Sequence, residues 1–312
     1  MYAHLFLFEN LQQNHWLVIE RGVQLLELQG ASKKWGAFEL KDITFSLPKG
    51  YIMGLIGPNG SGKSTLIRSI LGLYRVSAGT ILFDGKTMGE EEEQIRQRLG
   101  IVLDENLYSK NCNSLQNGEI YGRLFSSYDP ELFRSYLDRF GVDPKRKLKH
   151  LSKGNVIRFQ LAFALSHGAD LFIFDEPEAG LDADFRKELM DLMLELIEDG
   201  TRSVLMSTHI TEDLDRVADY ITYLKNGRVI YTGTKESLSE RFVMVKAEDY
   251  KIRLLPREAV LYAEQDHYSS RALVVNSHQY PLDESYTVER PSIAEIMYCI
   301  EKGGVSHVEH YF

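Results

Sequence analysis

The chain has 312 residues, of which 36 are Lys or Arg and 45 are Asp or Glu, so its formal net charge is −9. This acidic balance excludes a general nucleic-acid binder, which needs a basic excess to neutralise phosphates, and we expect no nucleic-acid partner. Hydrophobic residues make up 44% and charged residues 26%, a composition that excludes a disordered or collagen-like chain.

Neither a membrane span nor an export signal is predicted. The longest uncharged stretch, residues 50–62, has 13 residues, whereas a spanning helix needs about 20 apolar residues. The apolar N-terminal segment lacks a basic region and is interrupted by Glu9. Because Cys112 and Cys299 match no metal-ligand spacing, we expect a cytosolic protein with reduced thiols.

The pattern of apolar residues predicts an α/β fold after an extension at residues 1–22. Two runs, residues 171–174 and 203–206, are nearly continuous in apolar residues and show no alternation, which is typical of parallel strands covered on both faces. Between them Phe185, Leu189 and Met193 recur at helical spacing, which indicates a strand–helix–strand unit. Further strands are predicted at residues 23–29, 43–47, 51–56, 80–83 and 101–103.

Residues 242–312 differ in character and are predicted to form a small α+β appendage. Short β-like segments occur at residues 242–246, 259–263 and 272–276. One helix follows, with a capping box formed by Ser292 and Glu295 and with Gly303 and Gly304 as its stop.

A glycine-rich loop lies between the predicted strand at residues 51–56 and a predicted helix at residues 66–71. It has the pattern G-x-x-x-x-G-K-[ST] in the context that this motif requires. Its glycines let backbone N–H groups surround a phosphate at a helix N-terminus. Lys63 is therefore expected to reach the β- and γ-phosphates of a nucleotide, and Ser64 to bind Mg²⁺; an ordinary glycine-rich turn is the alternative. The loop consists of Gly57, Pro58, Asn59, Gly60, Ser61, Gly62, Lys63, Ser64 and Thr65.

Two adjacent acids, Asp175 and Glu176, end the apolar run at residues 171–174. In an open α/β sheet, ligands bind at the carboxyl ends of the strands. Neighbouring side chains diverge at a strand end, so Asp175 is expected to hold Mg²⁺ while Glu176 orients or deprotonates the attacking water. A pair of surface acids is the alternative, which the preceding apolar run and the following Pro177 disfavour.

Three further segments make the sequence resemble the ATP-binding subunit of an ABC transporter. Residues 151–155 (LSKGN) resemble the family signature LSGGQ, residues 180–182 (GLD) resemble the D-loop, and His209 resembles the switch histidine. The signature begins 20 residues before the run at 171, and His209 lies 33 residues after Glu176. The resemblance covers residues 23–240 and implies a P-loop NTPase cassette that binds ATP with Mg²⁺. Such a cassette has a mixed sheet core, an antiparallel β subdomain and a helical subdomain, here at about residues 105–165 of a domain at 23–241.

The resemblance also implies a second ATPase subunit. In this family the signature lies far from the phosphate loop of its own subunit, so Ser152 and Gly154 are expected to contact ATP bound to a partner. Asp182 of the D-loop is also expected to bind nucleotide. Each element occurs once in the chain, so two subunits arranged head to tail, either two copies or a copy and a paralogue, would enclose two ATP molecules.

Two single residues take roles from the resemblance. Trp35 lies 22 positions before Gly57, where the family has an aromatic ring that stacks on adenine; a half-buried surface tryptophan is the alternative. His209 is expected to hydrogen-bond the γ-phosphate and to help orient Glu176 and the water, and a packed or solvated histidine is the alternative. Glu176, His209 and Lys63 form the expected catalytic set, and Trp35 is expected to bind the nucleotide.

The chain departs from the family pattern at two places. Where the family has the Q-loop glutamine, this chain has Asp104 or, in a less favoured alignment, Glu105. Asp104 is expected as a Mg²⁺ ligand, because a carboxylate would repel the γ-phosphate unless the metal lay between them. In the signature, Lys153 and Asn155 replace Gly and Gln, while the residues used against phosphate remain.

Among ABC proteins, the chain most resembles ATPases of bacterial ABC-2-type exporters, including exporters of amphipathic peptides such as phenol-soluble modulins and peptide-antibiotic-resistance ATPases. A compact helical segment, the sequence at residues 103–105 and the C-terminal appendage carry this resemblance. It implies an ATPase at the cytoplasmic face of the membrane that powers export through a membrane-spanning permease, with an amphipathic or antimicrobial peptide as cargo. The alternatives are a soluble ABC ATPase, or a regulatory or immunity module that binds a partner through residues 242–312.

Overall fold

The computed structural model describes residues 24–265, 269–276 and 282–303; the predicted extension at residues 1–22 and Gly304 lie outside them. The strands are β1 (Gln24–Trp35), β2 (Phe38–Pro48), β3 (Ile52–Ile56), β4 (Ala78–Phe83), β5 (Lys86–Thr87), β6 (Leu99–Val102), β7 (Leu171–Asp175), β8 (Ser203–Thr208), β9 (Tyr220–Lys225), β10 (Arg228–Thr234), β11 (Phe242–Ala247), β12 (Val260–Gln265), β13 (Ser270–Val275) and β14 (Thr287–Glu289). The helices are α1 (Lys63–Ile70), α2 (Met88–Gln97), α3 (Ser114–Gly122), α4 (Pro130–Arg139), α5 (Lys153–Leu165), α6 (Ala183–Ile197), α7 (Thr211–Val217), α8 (Lys235–Arg241), α9 (Asp249–Ile252) and α10 (Ile293–Gly303).

The central sheet has six strands in the order β10-β9-β3-β8-β7-β6. Every pair in it is parallel except β10 with β9. All residues of β3, β7 and β8 are buried, and β7 and β8 confirm the two strands predicted from near-continuous apolar runs. Strand β3 confirms the strand predicted at residues 51–56. Since these three strands are neighbours, the glycine-rich loop, the acids at 175–176 and His209 all follow the carboxyl ends of adjacent strands.

Helix α1 joins the central sheet to an antiparallel sheet of order β2-β1-β4-β5. It begins at Lys63, earlier than its apolar residues predict, because Gly62 caps it in a left-handed conformation with φ 108°. Ile67 shares one hydrophobic cluster with Leu28 of β1 and Leu55 of β3. The loop before α1 is therefore anchored at both ends by packed elements.

Helices α3, α4 and α5 lie between β6 and β7 in the sequence and share an aromatic core. The rings of Phe133 and Phe159 meet edge to face with centroids 6.0 Å apart. Gln160 of α5 exchanges two hydrogen bonds of 3.0 Å with the backbone of Leu103. The signature segment at the start of α5 is thereby fixed relative to the end of β6.

The C-terminal strands form an antiparallel sheet of order β12-β13-β11-β14. The predicted capping box of α10 is confirmed: the Ser292 N–H donates to Glu295 Oε2 at 3.0 Å, and Ser292 Oγ accepts from the Glu295 N–H at 3.2 Å. The short helix α9 was not predicted, because four residues carry no readable periodicity.

Helix α10 packs against α7, the helix that follows His209. Ile296 and Ile300 share a hydrophobic cluster with Leu214 of α7 and Tyr223 of β9. The Ile293 N–H also donates to Asp215 Oδ1 at 3.0 Å. In the described ranges no helix is both long and apolar enough to cross a membrane.

Candidate functional site

The glycine-rich loop lies tightly against β9 and β2. Gly57 has φ 153°, and a Cβ there would lie 2.1 Å from the carbonyl oxygen of Leu224. A Cβ on Gly62 would lie 2.6 Å from the ring of Phe38. Larger residues are therefore excluded at both positions. Its outer part consists of Pro58, Asn59 and Gly60.

The donors of this loop fit a phosphate. The Lys63 side chain is only 5% exposed, and its Nζ donates to the Gly57 carbonyl at 2.9 Å. The buried hydroxyl of Ser61 has no hydrogen-bond partner among the residues that the structure describes. A buried polar group without a partner is costly, and a phosphate oxygen would supply an acceptor for Ser61 and a negative charge for Lys63. Thr65 follows in the first turn of α1, where its carbonyl accepts from Ser69 Oγ at 2.9 Å.

Asp175 lies buried at the end of β7 between two serine hydroxyls. Its Oδ1 accepts from Ser207 Oγ at 2.5 Å and from Ser64 Oγ at 3.3 Å. Burial raises the pKa of Asp175, and the two hydroxyl hydrogen bonds act in the opposite direction. A Mg²⁺ ion would offset this desolvation, and it prefers carboxylate, hydroxyl and phosphate oxygens.

A Mg²⁺ ion here would be held by few protein groups. Within the described ranges, no group of three or more His, Cys, Asp or Glu side chains is placed to hold a metal. Mg²⁺ is usually bound by one or two side chains together with substrate phosphates and water. Ser64 and Asp175 are the residues that fit this role.

Glu176 lies between Lys63 and His209. Its Oε1 is 3.7 Å from Lys63 Nζ, and its Oε2 is 3.6 Å from His209 Nδ1. Its backbone has φ 49°, a left-handed conformation that is unfavourable for a non-glycine residue. Two hydrogen bonds of 3.1 Å hold it there, from its N–H to the hydroxyl and to the carbonyl of Ser207. The carboxylate is 26% exposed, so water can reach it.

Sequence reasoning missed the roles of Ser207 and Glu178. Ser207 contacts both Asp175 and Glu176, and its position at the end of the strand beside β7 is the signal that identifies it. Glu178 is 5% exposed and accepts a hydrogen bond from Thr208. Burial raises the pKa of Glu178, against the opposing effect of that hydrogen bond. In the sequence, Glu178 is indistinguishable from a solvated acid on a turn.

The signature residues lie against the turn that precedes α6. Ser152 caps α5, its Oγ accepting from the Asn155 N–H at 3.2 Å. A Cβ at Gly154 would lie 2.5 Å from the carbonyl oxygen of Gly180. The signature therefore contacts the D-loop of the same chain through backbone atoms.

Asp182 strengthens this contact between the signature helix and the D-loop. It caps α6 by accepting from the Phe185 N–H at 2.9 Å, which is the main reason that its pKa is lowered. It also pairs with Arg158 of α5, whose guanidinium lies 4.1 Å from the centroid of the Phe185 ring.

The two departures from the family pattern contact each other. Asp104 forms an ion pair with Lys153, while Glu105 pairs with Arg68 of α1 at 3.1 Å. The contacts of Asp104 therefore join the end of β6 to the signature, and its role as a Mg²⁺ ligand stays a prediction.

Trp35 lies at the end of β1 with 56% of its surface exposed. Its ring stacks on Tyr74 with centroids 4.7 Å apart and an angle of 26° between the planes. The exposed part of the indole can accept a further flat ring. Tyr74 lies in the connection after α1 and was not predicted as its neighbour.

The contacts thus arrange the predicted site residues in separate groups. One joins the phosphate loop, Asp175, Glu176 and His209 at the ends of adjacent strands. A second joins Ser152, Gly154 and Asp182 around the starts of α5 and α6, with Asp104 linked to it through Lys153.

Comparison with known proteins agrees with this arrangement. The family described as ABC transporter matches residues 40–179. The linearmycin resistance ATP-binding protein LnrL of Bacillus subtilis is 31% identical over 223 residues, 70% of this chain and 71% of that protein. The lantibiotic transport ATP-binding protein SrtF of Streptococcus pyogenes is 28% identical over 225 residues, 70% of this chain and 96% of that protein. A solved ATP-binding subunit of an ABC transporter superposes with a TM-score of 0.62 at 27% identity, over 69% of this chain and 91% of the other. The chain therefore belongs to the ABC transporter family of ATP-binding proteins, which bind ATP with Mg²⁺ and hydrolyse it.

Proposed function

We propose that this chain is the ATP-hydrolysing subunit of an exporter and drives a separate membrane-spanning permease. The observation that carries the proposal is the group formed by Lys63, Asp175, Glu176 and His209. In this group a lysine, two carboxylates and a histidine lie together at the ends of three adjacent strands. This supports the roles of phosphate-binding cation, metal ligand and general base that we propose for Lys63, Asp175 and Glu176. These are the groups that phosphoryl transfer from ATP to water requires.

In the proposed reaction each residue has one task. The loop N–H groups, Ser61 and Lys63 bind the β- and γ-phosphates. Ser64 and Asp175 would hold Mg²⁺, which supplies positive charge to the phosphate oxygens when bound. Glu176 orients the attacking water and accepts its proton as the new oxygen–phosphorus bond forms and ADP leaves. His209, half exposed at 50%, hydrogen-bonds the γ-phosphate and helps hold Glu176 in place.

We further propose that hydrolysis takes place in a head-to-tail dimer, formed with a second copy or a paralogue. Ser152 and Gly154 begin helix α5, whose first N–H groups form a second anion site. Gly154 lies against the D-loop of its own chain and Ser152 caps its own helix. In the part of the chain that the structure describes, neither residue contacts Lys63 or Ser64. A signature that serves the ATP of a partner subunit accounts for this separation.

The cargo and the location are proposed from the relatives. The names of LnrL and SrtF refer to linearmycin resistance and lantibiotic transport. By analogy, we propose an amphipathic or antimicrobial peptide as the exported cargo. The chain would then lie at the cytoplasmic face of the membrane, held there by the permease.

Two substitutions in the full-length chain test this function. Glu176→Gln removes the base and keeps the shape, so kcat should fall about 100-fold or more while ATP binding persists. Lys63→Ala should weaken ATP binding itself by about 10- to 100-fold, because it removes a charged donor. The matched control is Glu198→Gln, at an exposed acid beyond α6, which should leave both quantities unchanged.

Steady-state hydrolysis gives kcat, ATP titration gives the affinity, and the molecular mass in solution shows whether the chain is a monomer or a dimer. The Glu176→Gln variant should accumulate as an ATP-bound dimer, and its capture from detergent-solubilised membranes should bring down a multi-span protein. Hydrolysis at the wild-type rate in Glu176→Gln would contradict the assigned base. A monomer with ATP bound, or capture without any membrane-spanning protein, would contradict the proposed dimer or the proposed partner.

A further inference from the structure

Glu178 is a buried acid that the hydrolysis scheme leaves without a task. It lies in the turn between β7 and α6, two residues after Glu176, and only 5% of its surface is exposed. One carboxyl oxygen accepts from the Thr208 hydroxyl, whereas Oε2 is buried with no hydrogen-bond partner among the described residues. Acids are almost never buried so completely without a structural or functional reason.

Thr208 connects this acid to the backbone around His209. It is the last residue of β8 and is fully buried. Its Oγ1 accepts from the Ile210 N–H at 2.8 Å, which closes a short turn around His209. The hydrogen bonds therefore run from Glu178 through Thr208 to Ile210 and enclose the histidine.

The two ends of this connection carry the two groups that must meet for hydrolysis. Glu178 belongs to the same turn as Glu176, and Thr208 directly precedes His209. Among the charged neighbours of Glu178, Glu176 raises its pKa and His209 lowers it. The Glu178 charge helps to raise the pKa of Arg186 of α6. Arg186 also pairs with Asp213 of α7 at 2.6 Å, so a second contact joins the segment after β7 to the segment after β8.

We propose that Glu178 is a positioning residue that holds His209 against Glu176 through the Thr208 hydroxyl. The proposal rests on the roles given above to Glu176 and His209. Glu178 itself touches neither phosphate nor water in this scheme. Its action depends on an oxygen that accepts from Thr208, and not on its charge.

This dependence predicts a specific set of kinetic effects in the full-length chain. Glu178→Ala should lower kcat for ATP hydrolysis about 10- to 100-fold, since a displacement of about 1 Å has an effect of that size. The KM for ATP should stay within about twofold, because the phosphate loop is untouched. Glu178→Gln should restore kcat to within about threefold, because its amide oxygen still accepts from Thr208.

A double-mutant cycle separates positioning from a general loss of structure. Thr208→Val removes the same link, so the double variant with Glu178→Ala should be no slower than the slower single variant. In a His209→Ala background, Glu178→Ala should have no further effect. The matched control is Thr222→Val on β9, which removes another buried threonine hydroxyl, bonded to Thr232 at 3.0 Å, away from the histidine.

The outcomes distinguish this proposal from the proposed function. If Glu178→Gln is as slow as Glu178→Ala, if the two single effects multiply, or if Thr222→Val lowers kcat equally, Glu178 is not a positioning residue. If His209→Ala itself hydrolyses ATP at the wild-type rate, the role given to the histidine fails instead. Thermal unfolding of each variant shows whether it is folded, and Glu178→Gln and Thr208→Val keep the test decisive if Glu178→Ala does not fold.

Discussion

Gly154→Ala tests whether the contact between the signature and the D-loop matters for hydrolysis. The added Cβ would lie 2.5 Å from the carbonyl oxygen of Gly180 and 3.3 Å from its carbonyl carbon. Both are backbone atoms, so no flexible side chain can move out of the way. Either the start of α5 or the turn at Gly180, which has φ 84°, must shift.

The sizes of the opposing effects can be worked out. Overpacking of this kind destabilises a protein by about 1–3 kcal/mol. Alanine in place of glycine inside a helix stabilises it by up to about 1 kcal/mol. The net loss of unfolding free energy should therefore be about 0–3 kcal/mol. Turnover should fall much more, by about 100-fold, because the shift displaces groups that must align with ATP.

Gly89→Ala is the matched control. Gly154 and Gly89 are each the second residue of a helix, after the caps Ser152 and Thr87, so the gain in helix propensity is the same. At Gly89, however, the nearest atom to the added Cβ is Thr87 Oγ1 at 4.0 Å. This variant should be as stable as the wild type or up to about 1 kcal/mol more stable, with unchanged turnover.

The assays are chemical unfolding and steady-state ATP hydrolysis on the two purified variants and the wild type. The difference between the variants isolates the contact with Gly180. If both variants shift the unfolding free energy equally and both hydrolyse ATP at the wild-type rate, the contact has no energetic or functional weight and the reasoning fails.

Two further predictions concern single side chains. Trp35→Ala should weaken ATP binding about fivefold, because stacking on a base contributes about 1 kcal/mol or more. Trp35→Phe should keep most of the affinity. An equal Kd for the wild type and Trp35→Ala in an ATP titration would refute the stacking role. Because burial raises the pKa of Glu178 above its ordinary value of 4.5, the folded chain holds more protons than the unfolded chain above that pH, and the wild type loses stability as the pH rises. Glu178→Gln has no such loss of stability. Its unfolding free energy minus that of the wild type should therefore grow from pH 4.5 upward and level off above the raised pKa. Urea unfolding at a series of pH values measures this difference, and a flat or falling difference would contradict the prediction.

The features of this molecule that could be predicted are those that the local sequence pattern determines. Strands β7 and β8 follow from near-continuous apolar runs, because a strand covered on both faces needs no polar side. The glycine-rich loop follows from its own spacing, since the strained positions at Gly57 and Gly62 admit no other residue. Placing these segments on neighbouring strands brings Lys63, Asp175 and His209 to one edge of the sheet.

The remaining contacts join residues that are distant in sequence, and local pattern does not determine them. Lys153 meets Asp104, and Tyr74 meets Trp35, through packing of whole segments against each other. Glu178 is the clearest case, because an acid on a turn is ordinarily solvated. Only the fold shows that this turn is covered by the end of β8, which buries the carboxyl beside Thr208.

The packing of α10 on α7 determines how the chain can be dissected. Ile293, Ile296 and Ile300 are each 0% exposed in a cluster that includes Leu214 of α7. Burying three such side chains stabilises a protein by roughly 5–9 kcal/mol, comparable with the whole unfolding free energy of a typical domain, about 5–15 kcal/mol. A chain cut after residue 241 would expose the apolar side of the helix that follows His209. The C-terminal region is thus part of the scaffold behind His209. Exchange of its exposed residues, such as Leu254 at 73% exposure, tests the purpose of this region without removing the packing of α10 on α7.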